Sequence, residues 1–426
     1  MERFHGLIGV ILILGLAFLL SNNRKKINYR VVVSGLAIQL ILALFILKTQ
    51  VGLNTFNWLG EKIKRLLDLA EKGGEFVFGG LMRPDLLKPI FGDNHSFLFM
   101  FKLMPTIIFV AVLVNIAYQI GLMQIIVSFF ARIVHALMRV SGSEALSNVA
   151  SAFVGQVEAQ IMIKPYLKTM TKSELLASMS GSMACIAGGV MAVYISMGVP
   201  ASYLLAASIM AAPAALVISK IVWPETEESP TKGALKLEVK KTHANLLDAI
   251  SHGASDGLKV SLNVIAMLIG FIALIALVDV LLNKAGDGLA WMGLSFSGIG
   301  LDLNNFSLDS IFGLVFSGFA WAMGVPSQDM MTVGSLLGTK LVINEFVAYS
   351  GLAPMIAGAS LAPKSILIAS FALCGFANFS SIAIQVGGIG ELVPERRADL
   401  ARLGFRALIC GTLASYLSAT IAGILM

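Results

Sequence analysis

Charge is what this chain has least of. Asp, Glu, Lys and Arg make up 13% of its 426 residues, about half the share of a soluble globular domain, so a water-soluble enzyme or binding module is excluded. Cysteine is scarce as well: Cys185, Cys374 and Cys410 all fall in apolar segments, which excludes a disulfide framework and a cysteine-based zinc site. None of the five histidines, His5, His95, His135, His243 and His252, lies in the polar motifs described below, and the chain contains no HExxH and no repeated DDxxD. A membrane enzyme is therefore not expected, and no cofactor is implied. The net charge of +6 comes from Lys and Arg clustered beside apolar runs, a topology signal that calls for no nucleic acid partner.

What is there instead is apolar sequence, 57% of the residues. The chain reads as an all-α polytopic membrane protein with the lipid bilayer as its surroundings. Residues 5–21 have the length of a signal peptide, but no small-residue cleavage site follows them, and Arg24, Lys25, Lys26 and Arg30 come at once. This run is a first spanning helix with its N-terminus outside. Further spans are expected at 30–48, 98–122, 174–196, 202–222, 257–282, 363–389 and 403–425, each near the ~20 apolar residues needed to cross. Arg396, Arg397, Arg402 and Arg406 put the start of the last span in the cytoplasm. Eight spans then leave both termini periplasmic, in a bacterial inner (plasma) membrane.

Residues 53–70 space their apolar groups helically opposite Glu61, Lys62, Lys64 and Arg65, the pattern of an interfacial helix or of one packed on another subunit. The stretch 223–245, with ETEESPTKG and EVKK, is a polar cytoplasmic linker between two halves. The domain order that follows is 1–140 for N-terminal spans, interfacial helix and scaffold, 141–222 for a first transport unit, the linker, 246–308 for a scaffold span, and 309–426 for a second transport unit. Glu144 and the run Glu225, Glu227 and Glu228 read as solvated.

Residues 141–170 and 309–345 each hold two apolar pieces too short to span, broken at Gly155 and Gln156 and at GVPSQD, Gly324 to Asp329. A broken backbone at membrane depth is tolerated only inside protein or beside water. Both are expected to be re-entrant helical hairpins, and paired interruptions in two halves point to a binding site between inverted repeats. Asp329 is expected to cap a helix N-terminus.

A carboxylate in a membrane costs about 2.5–3.5 kcal/mol, so Glu158 needs a partner, a cavity or a substrate. Gln156, Glu158, Asn344, Glu345, Asn378, Ser380, Ser381 and Phe376 together offer amides, carboxylates, hydroxyls and one ring. That set suits a neutral, hydrogen-bonding solute with a flat ring. It suits an anion poorly, because Lys164 and Lys340 are the only nearby cations and no Arg lies in these stretches.

The order GQVE at 155–158, NEFVAY at 344–349 and GFANFSSI at 375–382, with SNNRKK, IKPYL, IAGG and SATIAGIL elsewhere, resembles the concentrative nucleoside transporters nearly end to end. The resemblance implies eight spanning helices with two re-entrant hairpins, a homotrimer, and an elevator mechanism in which a substrate-carrying domain slides past a fixed scaffold. It implies that Gln156, Val157, Glu158, Val190 and Phe376 approach the base of a nucleoside and that Glu345, Asn378 and Ser381 hold the ribose. Val157 stands where the family often has Thr or Ser, and Gln160 where many members have Pro.

The resemblance also implies an ion site at Ser151, Val154, Cys185 and Ile186. Here a hydroxyl replaces the family's amide at Ser151 and a thiol replaces its hydroxyl at Cys185. Sodium prefers oxygen ligands, so proton coupling is expected over sodium coupling, with Glu158 or Glu345 as the desolvated carboxylate that carries the proton.

Overall fold

The computed structural model describes residues 2–91, 98–231, 243–292, 303 and 306–426, and the regular elements among them are helices. The first half runs α1 (Glu2–Leu19), α2 (Tyr29–Lys48), α3 (Gln50–Phe78), α4 (Pro84–Phe91), α5 (Phe99–Gln119), α6 (Leu122–Met138), α7 (Gly142–Ser151), α8 (Glu158–Met162), α9 (Lys164–Leu167), α10 (Lys172–Ala184), α11 (Gly188–Ser196) and α12 (Ala201–Val222). The second runs α13 (Leu246–Trp291), α14 (Leu308–Ala322), α15 (Met330–Val342), α16 (Glu345–Ala357), α17 (Pro363–Leu373), α18 (Phe379–Leu392) and α19 (Arg397–Leu425). Of these stretches, six are long and apolar enough to cross a bilayer, and one of the six, Lys172–Ser196, contains a break.

Small residues decide which helices pack closely. On α13 the buried positions Ala249, Gly253, Gly257 and Ser261 recur every fourth residue, a stripe that lets two backbones approach. A Cβ at Gly257 would lie 2.6 Å from the Cα of Ile108 on α5, and one at Gly253 would lie 2.7 Å from the Cα of Val112. Apart from these positions, Val264 and Gly286, most of α13 is exposed or half-buried. On α2 the stripe Val31, Gly35, Gln39, Ala43 does the same, with Gly35 against Val217 of α12 and Met138 of α6. In α12 and α19, by contrast, nearly every residue of the inner turns is buried.

Several expectations change here. The span expected at 174–196 is two helices, α10 and α11, separated by extended backbone at Cys185 (φ −101°, ψ 166°) and Ala187 (φ −64°, ψ 138°). The span expected at 363–389 is likewise α17 and α18, parted at 374–378, where Gly375 has φ +131°. Helix α13 extends well beyond 257–282, and α3 well beyond 53–70. Helices α6 and α16 were not among the expected spans. In both expected stretches the helices break where the Gly and polar residues fall, and α14 and α15 pack along each other around the turn at 324–329.

The expectation that Glu144 is solvated fails. Ser141 and Glu144 form a reciprocal capping box at the start of α7, as Thr171 and Glu174 do at α10. Glu144 is 1% exposed and paired with Lys220 near the end of α12. Lys220 also donates to Ser173 Oγ (2.8 Å) and lies 3.5 Å from Glu225. A buried charge requires a partner, and the chain supplies it from 76 residues away in sequence. Glu225 is half-buried, accepting from Thr171 Oγ1 (2.7 Å), whereas Glu227 and Glu228 are exposed as expected. The linker's first residues belong to this cluster, since Thr231 donates to Glu174 (3.0 Å) and its carbonyl accepts from Gly142 N (3.1 Å). Residues 232–242, with the EVKK run, lie outside the described residues.

Candidate functional site

Four chain breaks meet, and each completes the hydrogen bonding of another. The first hairpin breaks between α7 and α8, and there Phe153 O accepts from Gly188 N (3.2 Å) at the start of α11. Between α10 and α11, Cys185 O accepts from Phe376 N (3.3 Å) in the α17–α18 break. Gly375 is needed at that crossing: besides its positive φ, a Cβ there would lie 2.5 Å from Ala184 O. The fourth break, Ile343 and Asn344 between α15 and α16, joins through a side chain, because Asn378 Nδ2 donates to Glu345 Oε2 (2.8 Å). These bonds pair groups that interrupted helices inside an apolar body would otherwise leave unsatisfied.

The structure brings three of the expected residues into one cluster. Asn378 caps α18, its Oδ1 accepting from Ser381 N (2.9 Å) and Ser380 Oγ (2.7 Å), while its Nδ2 holds Glu345 in the first turn of α16. Asn344 caps α16 through Val347 N (2.9 Å). Glu345, Asn378 and Ser381 are buried, and Phe376, half-buried, lies two residues before Asn378. Lys340, Tyr194, Tyr349 and Cys374, all buried, lie near Glu345. Lys340 is itself committed, donating to Ala372 O (2.9 Å) in the last turn of α17, while Lys164 is exposed.

The tip of the first hairpin reaches the same helix from another side. Gln156 Oε1 accepts from Gln385 Nε2 (3.4 Å) on α18, and Val157 packs where a Cβ on Gly388 would meet it at 2.7 Å. Val190, half-buried, sits in the first turn of α11. Gln385, fully buried and also donating to Met179 O (3.2 Å), was missed by the sequence reading; one Gln in an apolar helix gave no sign of which face it served.

Glu158 does not meet the expectation of a desolvated carboxylate. It is exposed and folds back over Gly155, where a Cβ would lie 1.9 Å from its Oε2. Gln160 turns away from the site, taking Ser178 Oγ (2.6 Å) on its carbonyl and giving its amide to Ser182 Oγ (2.7 Å). The expected ion residues Ser151, Val154, Cys185 and Ile186 are buried together around the first two breaks. Ser151 Oγ donates to Ser147 O (2.7 Å) and lies 2.9 Å from Ser182 Oγ, so its hydroxyl hydrogen is spent on its own helix. Asp329 caps a helix, but the one it caps is α17: its carboxylate accepts from Ala362 N (2.9 Å) and Ser365 Oγ (2.5 Å), and it makes no side-chain cap on α15.

A cavity of about 520 Å³ opens between α13, the second hairpin and α16, lined by Asp309, Phe312, Ser335, Thr339, Val347 and Met355. It reaches Ile343 beside the cluster but holds none of the expected substrate residues. The spacing GxSxG occurs once, as Gly253 to Gly257. It lies inside α13 at the crossing with α5, a packing stripe without the strand-to-helix turn of a nucleophile elbow.

Comparison with known proteins follows the same geography. The models described as Na+ dependent nucleoside transporter C-terminus and N-terminus match residues 203–423 and 8–81, and one described as nucleoside recognition matches 100–201. An uncharacterized transporter of Haemophilus influenzae is 41% identical over 100% of this chain and 98% of its own length. Sodium/nucleoside cotransporter 1 of Rattus norvegicus is 38% identical over 100% of this chain, which spans 64% of that protein. The solved structure of CNTnw in an inward-facing substrate-bound state is 37% identical, with a TM-score of 0.90 over 100% of this chain and 98% of that one.

Proposed function

We propose that this chain, which belongs to the Na+ dependent nucleoside transporter family, imports nucleosides across a bacterial inner membrane by ion-coupled symport. Its family is one of transporters and not of enzymes. The observation that carries the substrate reading is the buried Glu345–Asn378–Ser381 cluster at the meeting of four chain breaks. A carboxylate and an amide there suit ribose hydroxyls, while Phe376, Val190 and the hairpin tip at Gln156, Val157 and Glu158 offer a ring face, apolar contact and amide pairing for a base. The hairpins are re-entrant in this reading, both termini are periplasmic, and the buried body moves as an elevator past a frame that includes α13 and assembles as a homotrimer. The outward apolar faces of α2, α5 and α13 supply the surface that lipid and neighbouring copies would cover.

Proton coupling is favoured by the donor set. With sulfur at Cys185 and a single hydroxyl oxygen at Ser151, sodium is left mostly with backbone carbonyls at the expected ion site. Glu345 is the better carrier of the two carboxylates considered, because it is buried whereas Glu158 is exposed. A neutral carboxyl crosses an apolar environment at far lower cost than a charged one. The second reading, sodium coupling, is favoured by the 38% identity to a sodium/nucleoside cotransporter.

Uptake of labelled uridine and adenosine into proteoliposomes, under an inward proton gradient or an inward sodium gradient, separates the two. Proton-driven accumulation that is abolished in Glu345→Gln supports the proton reading. Accumulation driven by sodium alone establishes the second reading, and no saturable uptake under either gradient overturns the nucleoside reading.

A further inference from the structure

Three side chains at the point where the chain leaves the linker converge on one spot. His243 precedes α13, Asp248 lies in its first turn, and His252 follows four residues later on the same face. Their ligating atoms all lie within 4.8 Å of one another. His243 Nδ1 is 3.9 Å from Asp248 Oδ2, and His252 Nε2 is 3.4 Å from Asp248 Oδ1. A tetrahedral ion with bonds of about 2.0–2.1 Å separates neighbouring ligand atoms by roughly 3.4 Å, so these positions need little adjustment to share one ion.

The surroundings orient two of the three ligands. Asn115 on α5 donates from Nδ2 to Ala111 O (2.9 Å), and its Oδ1 is an acceptor facing His243 Nε2 at 2.9 Å. His243 must therefore carry its hydrogen on Nε2, and the lone pair of the neutral ring lies on Nδ1, the atom turned toward Asp248. Metal-binding histidines are held in this manner by an acceptor on the far nitrogen. Asp248 is aimed by Ala244 N, which donates to its Oδ2 (2.9 Å), while its own N–H is capped by Asn245 Oδ1 (2.9 Å). Side-chain exposure rises from 12% at His243 to 35% at Asp248 and 60% at His252, so the pocket is anchored on one side and open to an entering ion and a water on the other.

We propose that His243, Asp248 and His252 form a binding site for a borderline divalent transition-metal ion, with Zn2+ the fitting probe. Two imidazoles and one carboxylate select such ions over Mg2+ or Ca2+, which demand oxygen. The bound ion ties the end of the linker to the foot of α13 and, through Asn115, to α5. It is separate from the substrate cluster and from the coupling ion.

The test uses the full-length chain without a polyhistidine tag, purified in detergent and stripped with chelator. Zn2+ is titrated against a chromophoric indicator, and Co2+ replaces it as a spectroscopic reporter. One Zn2+ per chain is expected, with a Co2+ absorption band of four-coordinate character. His243→Ala and His252→Ala each weaken binding by at least roughly tenfold, as does Asn115→Ala, within the 10- to 100-fold range for outer ligand supports. The His252 side chain is 60% exposed, so that variant is expected to fold. Absence of stoichiometric Zn2+ binding in the parent chain, or binding that survives the His243→Ala, His252→Ala double change, overturns the assignment.

Discussion

Helices α12 and α13 are both long and apolar, yet they bury that sequence to opposite extents. Of the membrane-length apolar stretch in α12, 89% is buried, and 83% in the stretch ending with α19, against 11% in α13. The apolar stretch of α13 is nonetheless the more hydrophobic of the two. In a chain that lives in lipid, hydrophobicity does not drive one helix inward ahead of another, because lipid tails are as apolar as Leu. The inner helices differ in side-chain size and polarity. Alanines such as Ala206, Ala207, Ala211 and Ala214 bring backbones together, and Ser147, Ser178, Ser182, Gln160 and Lys220 find partners only there. Outward positions of α13 carry Leu, Ile and Val.

The contrast is broken most forcefully at the ion pair. Lys220→Met leaves Glu144 as a buried charge with its partner gone and is expected to cost about 3–5 kcal/mol, read as lost thermal stability in detergent. Adding Glu144→Leu should restore most of it, since an apolar pair can replace a buried ionic one. If the single change is tolerated, water reaches the cluster and the body is not dry at that end. Next comes Gly375→Ala, where left-handed strain of about 1–3 kcal/mol adds to the close approach of Ala184 O. It should abolish uptake through the stitched break while leaving helix content by circular dichroism unchanged. Smallest is Ile269→Ala on the outer face of α13, 68% exposed, expected within about 0.5 kcal/mol. A large effect there would mean that another copy of the chain buries this face.

Much of the plan was legible from residues alone. Apolar runs of crossing length marked long helices such as α2, α5, α12, α13 and α19, and Gly with polar neighbours marked the breaks within 141–170 and 309–345. Asn378 and Glu345 were legible as candidates because polar groups in apolar sequence must be accounted for. The break at 185–187 was not, since CIAGG lacks proline and reads as a continuous helix; it is held open by Phe153, Phe376 and Gly375 from other segments. The role of Glu144 was equally hidden. An acid in a capping box reads as solvated until a lysine 76 residues later is brought beside it.

By itself the sequence determined that this chain is helical, dissolved in lipid and interrupted at polar points, because helix periodicity, span length and the cost of unpaired polar groups are local quantities. Only the tertiary structure decided which carboxylate is buried and which is exposed, which helices are buried and which face outward, and that His243, Asp248 and His252 share one spot. Those outcomes depend on contacts between segments far apart in the chain, where small residues permit approach and each buried polar group must find a partner.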